Sequence, residues 1–156
     1  MSLREKVDKI LEWVLIFLIS ILVIDVLWQV VSRYILINPS SFTTEVAGYL
    51  LIWVGILGAA YVAGKNEHLA IDLLLQKSPH KRRLRLLISI YIFILLFSFS
   101  VMIVGGSWLV YTRFILDVRS ADLQLPLGYV YLVVPVSGIL IAYYEIDNMI
   151  QAYRNK

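Results

Sequence analysis

The chain has no cysteine, two histidines and little charge, with 16% of its 156 residues being Asp, Glu, Lys or Arg. Without cysteine there is no disulfide framework, no thiolate nucleophile and no dithiol redox chemistry. His68 and His80 both lie outside the long apolar runs, which excludes an intramembrane bis-histidine haem site. No Ser/His/Asp set and no glycine-rich phosphate loop after a strand is present, so the sequence supports neither an enzyme nor a resident cofactor. The alternating apolar/polar pattern of a membrane barrel strand is missing as well. A net charge of +3 would be a weak signal for nucleic acid, and the basic residues are better explained by membrane topology, so no nucleic-acid partner is expected.

What the chain has instead is length without charge. Residues 86–112 run 27 positions without an Asp, Glu, Lys or Arg, residues 46–64 run 19 and residues 123–144 run 22. Residues 13–32 give 20 more, interrupted only by Asp25. A bilayer core of about 30 Å needs roughly 20 helical residues, and in lipid the backbone polar groups must be paired within the segment. The expected fold is therefore an all-α integral membrane protein with four transmembrane helices in one domain, spanning about 10–37, 44–64, 86–112 and 126–148. The first run continues through Trp28 to Arg33 without a small-x-small cleavage site, so it reads as a retained span rather than a signal peptide.

Eleven of the fourteen Lys and Arg residues lie before the first span, between the second and third, and after the fourth. By the positive-inside rule the N and C termini are cytoplasmic, and the first and third loops face outward. Trp13, Tyr91, Tyr143 and Tyr144 would anchor one interface and Trp108, Tyr111, Tyr129 and Tyr131 the other. Between spans two and three, residues 67–77 are too short to cross. They read as a short amphipathic interfacial helix, with the basic residues 81–85 near the head groups of membrane lipids. His68, Asp72 and Gln76 share its polar face, and two such side chains are too few for a metal site. In span two, Gly48, Gly55, Gly58, Ala59 and Ala60 would let another helix approach closely within the bundle. Gly105-Gly106 offers a bend in span three, and Pro135 should kink span four.

Asp25 lies about 12 Å along the helix from Arg33, and a carboxylate at that depth is costly unless protonated, paired or facing water. Asp25, Gln29 and Arg33 recur every fourth residue and form a polar stripe on span one. They read either as a hydrogen-bonded contact with another helix or as a proton relay. Arg33 and Glu45 flank the first outer turn, where they could pair.

The ordered residues Ser32-Arg33-Tyr34, Ser41-Phe42-Thr43-Thr44-Glu45, Trp53 through Ala60, and Glu67-His68-Leu69-Ala70-Ile71-Asp72 resemble the small membrane subunit of tripartite ATP-independent periplasmic (TRAP) transporters. Leu125-Pro126-Leu127-Gly128 and Pro135-Val136-Ser137-Gly138 fit the same family. The resemblance implies a static scaffold in the bacterial inner membrane, paired with a large membrane subunit that carries the substrate and sodium-ion sites. It also implies a periplasmic binding protein that delivers an organic acid such as sialic acid or a C4-dicarboxylate. Asp25, Gln29, Arg33, Glu45, His68 and Asp72 then become candidates for subunit-interface or structural polar contacts. Many members carry a tryptophan and an acidic pair where this chain has Phe42 and Thr44-Glu45, so one carboxylate carries over. The alternative is a stand-alone, dimeric, proton-coupled multidrug exporter with Asp25 as the titrating group.

Overall fold

The computed structural model describes residues 3–36, 40–65 and 80–154, and these are almost entirely helical. In chain order they form α1 (Leu3–Tyr34), α2 (Ser41–Lys65), α3 (His80–Phe97), a π-helical segment (Ser98–Gly105), α4 (Gly106–Ile115), α5 (Leu127–Tyr131) and α6 (Val133–Arg154). Four helical stretches are long and apolar enough to cross a membrane: Leu3–Tyr34, Ser41–Lys65, Arg85–Ile115 and Leu127–Arg154. The four-span expectation is met. The interfacial helix expected over residues 67–77, with His68 and Asp72, lies outside the described residues.

The 32 residues of α1 make a rod of about 48 Å, longer than the roughly 30 Å apolar core it must cross. Its excess is the charged N-terminal stretch, which stays helical because Arg4 and Asp8 find partners on other helices. At the start of α2, Ser40 and Thr43 bond reciprocally: the Ser40 hydroxyl meets Thr43 Oγ1 at 2.7 Å, and Thr43 Oγ1 donates to the Ser40 carbonyl at 2.8 Å. That closes a turn expected from its Ser/Thr content.

The helices are unequal in their neighbours. α1 lies along α2 and reaches α6 through side chains near its N-terminal end, whereas α6 packs against α2, α3, the π segment, α4 and α5. The core accordingly forms around α6 and joins Leu57, Ala60 and Ala63 of α2 to Val133, Ile141 and Tyr144, with Leu11 from α1. The outward surface is apolar, with Phe93, Phe99, Trp108 and Ile24 all more than half exposed. In water such a surface would aggregate; here it is the part that lipid solvates.

Close helix contact falls on other glycines than expected. Among the described residues a Cβ at Gly48, Gly55 or Gly58 would meet nothing within 4 Å, so these glycines bring no described helix close. The tight positions are elsewhere. At Gly64 a Cβ would lie 2.7 Å from the Tyr144 ring, at Gly106 2.9 Å from Val134, and at Gly138 2.8 Å from Met102 Cβ. The π segment sits against Gly138, where Ser98 Oγ donates to the Gly138 carbonyl at 2.6 Å. Local widening of a helix is a common form for such an insertion. The expected Pro135 break appears one turn earlier, at Leu132 between α5 and α6, because proline disturbs the turn before it. Tyr91 and Tyr144 also differ from expectation: both are buried rather than anchored at the membrane surface, Tyr144 completely.

Candidate functional site

Polar side chains gather at the two ends of the bundle. At the far end, the loop between α4 and α5 folds back on itself. Ser120 N–H donates to the Leu125 carbonyl at 2.9 Å and Leu127 N–H to the Val118 carbonyl at 2.9 Å. Asp117 and Gln124 take left-handed backbone conformations, with φ of 43° and 54°, which turns the chain sharply. This aims three successive amides at one point, and the Glu45 carboxylate occupies it. Oε1 accepts from Ala121 N–H at 2.7 Å, and Oε2 accepts from Asp122 and Leu123 N–H at 3.2 and 3.0 Å. Consecutive amides around an anion make a strong, oriented contact. The expected Arg33–Glu45 pair does not form: Glu45 gives its oxygens to the loop, and Arg33 is exposed at the end of α1.

Asp25 and Gln29 do meet, as their spacing implies. Gln29 Nε2 donates to Asp25 Oδ2 at 3.1 Å and to the Thr43 carbonyl of α2 at 2.9 Å. The stripe therefore ties α1 to α2. Arg33 does not extend it into the seam, and instead borders a small recess beside Gln29, Ser32, Ser40 and Thr44.

At the end that carries both termini, contacts absent from the sequence reading fasten α1, α2 and α6. Arg4 reaches both the Asp147 carboxylate and the Gly64 carbonyl, and its guanidinium lies 5.9 Å from the centre of the Tyr144 ring. Tyr144 donates its hydroxyl to Asp8 at 2.5 Å, and Asn148 donates to the Ala63 carbonyl at 3.3 Å. Arg4 had the reading of a topology-setting charge; the structure makes it a staple. Beside these lies Glu145, 1% exposed, with neither carboxylate oxygen hydrogen-bonded among the described residues. It ends the uncharged run of residues 123–144 and lies inside the fourth span, where the run itself carries no sign of it. The signal that could have found it is helical spacing, since Ile141, Glu145 and Asn148 recur at four and three residues on one face.

Four apolar helices joined at one end by Glu45 and at the other by Arg4, Asp8 and Tyr144 define a small multi-pass membrane protein held as a single block. The chain belongs to the DctQ component of the tripartite ATP-independent periplasmic transporters, whose family model matches residues 21–155. It is thus a component of a transporter of the bacterial inner membrane, not an enzyme. It is 30% identical over 151 residues to a TRAP transporter small permease protein of Haemophilus influenzae, covering 96% of this chain and 91% of that one. To the sialic acid TRAP transporter small permease protein SiaQ of Vibrio cholerae it is 28% identical over 103 residues, 66% of this chain and 60% of that one. It also matches the sialic acid TRAP transporter permease protein SiaT of Haemophilus influenzae at 29% over 101 residues, which is 61% of this chain but 16% of SiaT. The exporter alternative finds no support in these likenesses.

Proposed function

We propose that this chain is the fixed scaffold subunit of a sodium-coupled transporter that takes up organic acids. In this reading a separate large membrane subunit binds and moves the substrate, and the sodium ions bind there too. Sialic acid, named for SiaQ, and C4-dicarboxylates are the substrate classes that the family likeness suggests. The termini lie in the cytoplasm, as the Lys and Arg distribution implies. The loop held by Glu45 then faces the periplasm and forms part of the platform on which a substrate-binding protein docks.

The observation that carries the reading is the Glu45 clamp. A carboxylate spread over three backbone amides fixes a loop shape, and it ties the first helical hairpin to the second. A mobile substrate carrier needs hinges at such places, whereas a stator needs anchors. Reconstitution tests this directly. The chain alone in proteoliposomes should move no solute. With its large subunit and binding protein it should support sodium-dependent uptake without ATP. Glu45→Leu should weaken docking of the binding protein about tenfold, and Glu45→Gln, which keeps an oxygen acceptor, should do so less. Solute transport by the chain alone would refute the scaffold role.

A further inference from the structure

We infer that the α1 face around Asp25 is the docking face for the large membrane subunit, and that Asp25 there accepts a hydrogen bond from a side chain of that subunit. The inference rests on the scaffold reading above and adds to it a surface and a contact. Asp25 lies well inside the first span, is half-buried, and receives one hydrogen bond within the described residues. That donor is one N–H of the Gln29 amide, whose other N–H goes to the Thr43 carbonyl on α2. A carboxylate has about four lone-pair sites, so most of the Asp25 acceptor capacity is unused. Glu45 shows how the same group is satisfied elsewhere in the molecule, with three amides. A carboxylate left so exposed in hydrocarbon is strongly disfavoured. The face that carries it therefore meets protein rather than lipid.

The setting fits a partner helix. α1 is the least enclosed span: 6% of its most apolar stretch is buried in the chain, against 39% for the last span. Trp28, one turn on from Asp25, and Ile24 beside it are 49% and 67% exposed. On the adjoining α2, Gly48 and Gly55 leave open space where a side chain would stand, so a helix could approach that hairpin closely. The π segment offers an equally bare face around Phe99 and Val104, but its exposed polar group, the Ser100 hydroxyl, already donates to the Leu96 carbonyl at 2.7 Å, and the face suits lipid. The occupant is the large subunit rather than a second copy of the chain. The likeness to SiaT confines the matching segment to 16% of a longer permease, so in that protein the equivalent segment is tethered to further permease sequence.

The test uses the full complex, with the chain co-expressed with its large subunit and carrying a photo-crosslinking residue at Ile24 or Trp28, or at Phe99 or Val104. Cross-links to the large subunit are expected from the α1 positions and not from the π-segment positions. In parallel, Asp25→Asn, which keeps an acceptor oxygen, should preserve recovery of the complex within about twofold. Asp25→Leu should lower it about tenfold while the variant chain alone remains monodisperse. Cross-links from Phe99 or Val104 with silence at Ile24 and Trp28, cross-links between two copies of the chain, or full recovery of the Asp25→Leu complex would each overturn the docking face. Failure of the unaltered chain to form any complex would instead remove the scaffold reading, and the docking face with it.

Discussion

The first and last spans invert the relation between apolarity and burial that holds in water. α1 is the more apolar of the two and is nearly bare, while α6 is the less apolar and forms the centre of the bundle. The buried residues of α6 include Ser137, Gly138, Tyr144, Glu145 and Asn148, which are small or polar. Lipid tails are as apolar as leucine, so an apolar side chain gains little by leaving lipid for another helix. What draws α6 inward is close packing over glycine and hydrogen bonding that lipid cannot offer. α1, by contrast, is fixed chiefly by its ends and by the seam it shares with α2.

That contrast predicts a gradient of sensitivity. The largest effect should come from Gly138→Leu on α6, because even its Cβ would lie 2.8 Å from Met102 Cβ and 3.2 Å from the Ile103 backbone nitrogen. Overpacking of this kind should cost about 3 kcal/mol, read as a lower thermal midpoint in detergent. Glu145→Met should move the other way. It removes a buried carboxylate with no hydrogen-bond partner among the described residues and should raise stability by about 2 kcal/mol. A fall on that substitution would show that the carboxylate is satisfied in the membrane. Tyr144→Phe keeps the packed ring but deletes the bond to Asp8, for an expected loss of about 1.5 kcal/mol by the same assay. Ile24→Ala on the bare face of α1 should change the stability of the isolated chain by less than about 0.5 kcal/mol. If Ile24→Ala destabilised the isolated chain as much as Gly138→Leu, the contrast between the two spans would fail.

The parts of this architecture legible in sequence were those set by local rules. Spans show as uncharged runs because hydrocarbon excludes charge, and the Asp25–Gln29 bond follows from a four-residue spacing on one helix. The Glu45 clamp was not legible, since its partners are backbone amides 76 to 78 residues away, and an amide carries no sequence signature. Arg33, its nearer cation, was the natural guess and the wrong one. For the same reason Gly48, Gly55 and Gly58 looked like a packing stripe while Gly138 did the packing. Small residues permit close approach, but the route of the other helices decides where it happens.

The long-range polar contacts also impose an order on how the protein is made. Among the described residues, Arg4, Asp8, Glu45, Trp53 and Ala63 of the first two spans all find partners between residues 121 and 148. A ribosome delivers those partners last. While the first hairpin is already inserted, its carboxylates, its indole N–H and its guanidinium lack their final partners until the fourth span arrives. Synthesis that stops after the third span therefore leaves a chain of the right hydrophobicity with its polar fastenings undone at both ends. That half-built product is what a membrane protease could distinguish from the finished subunit.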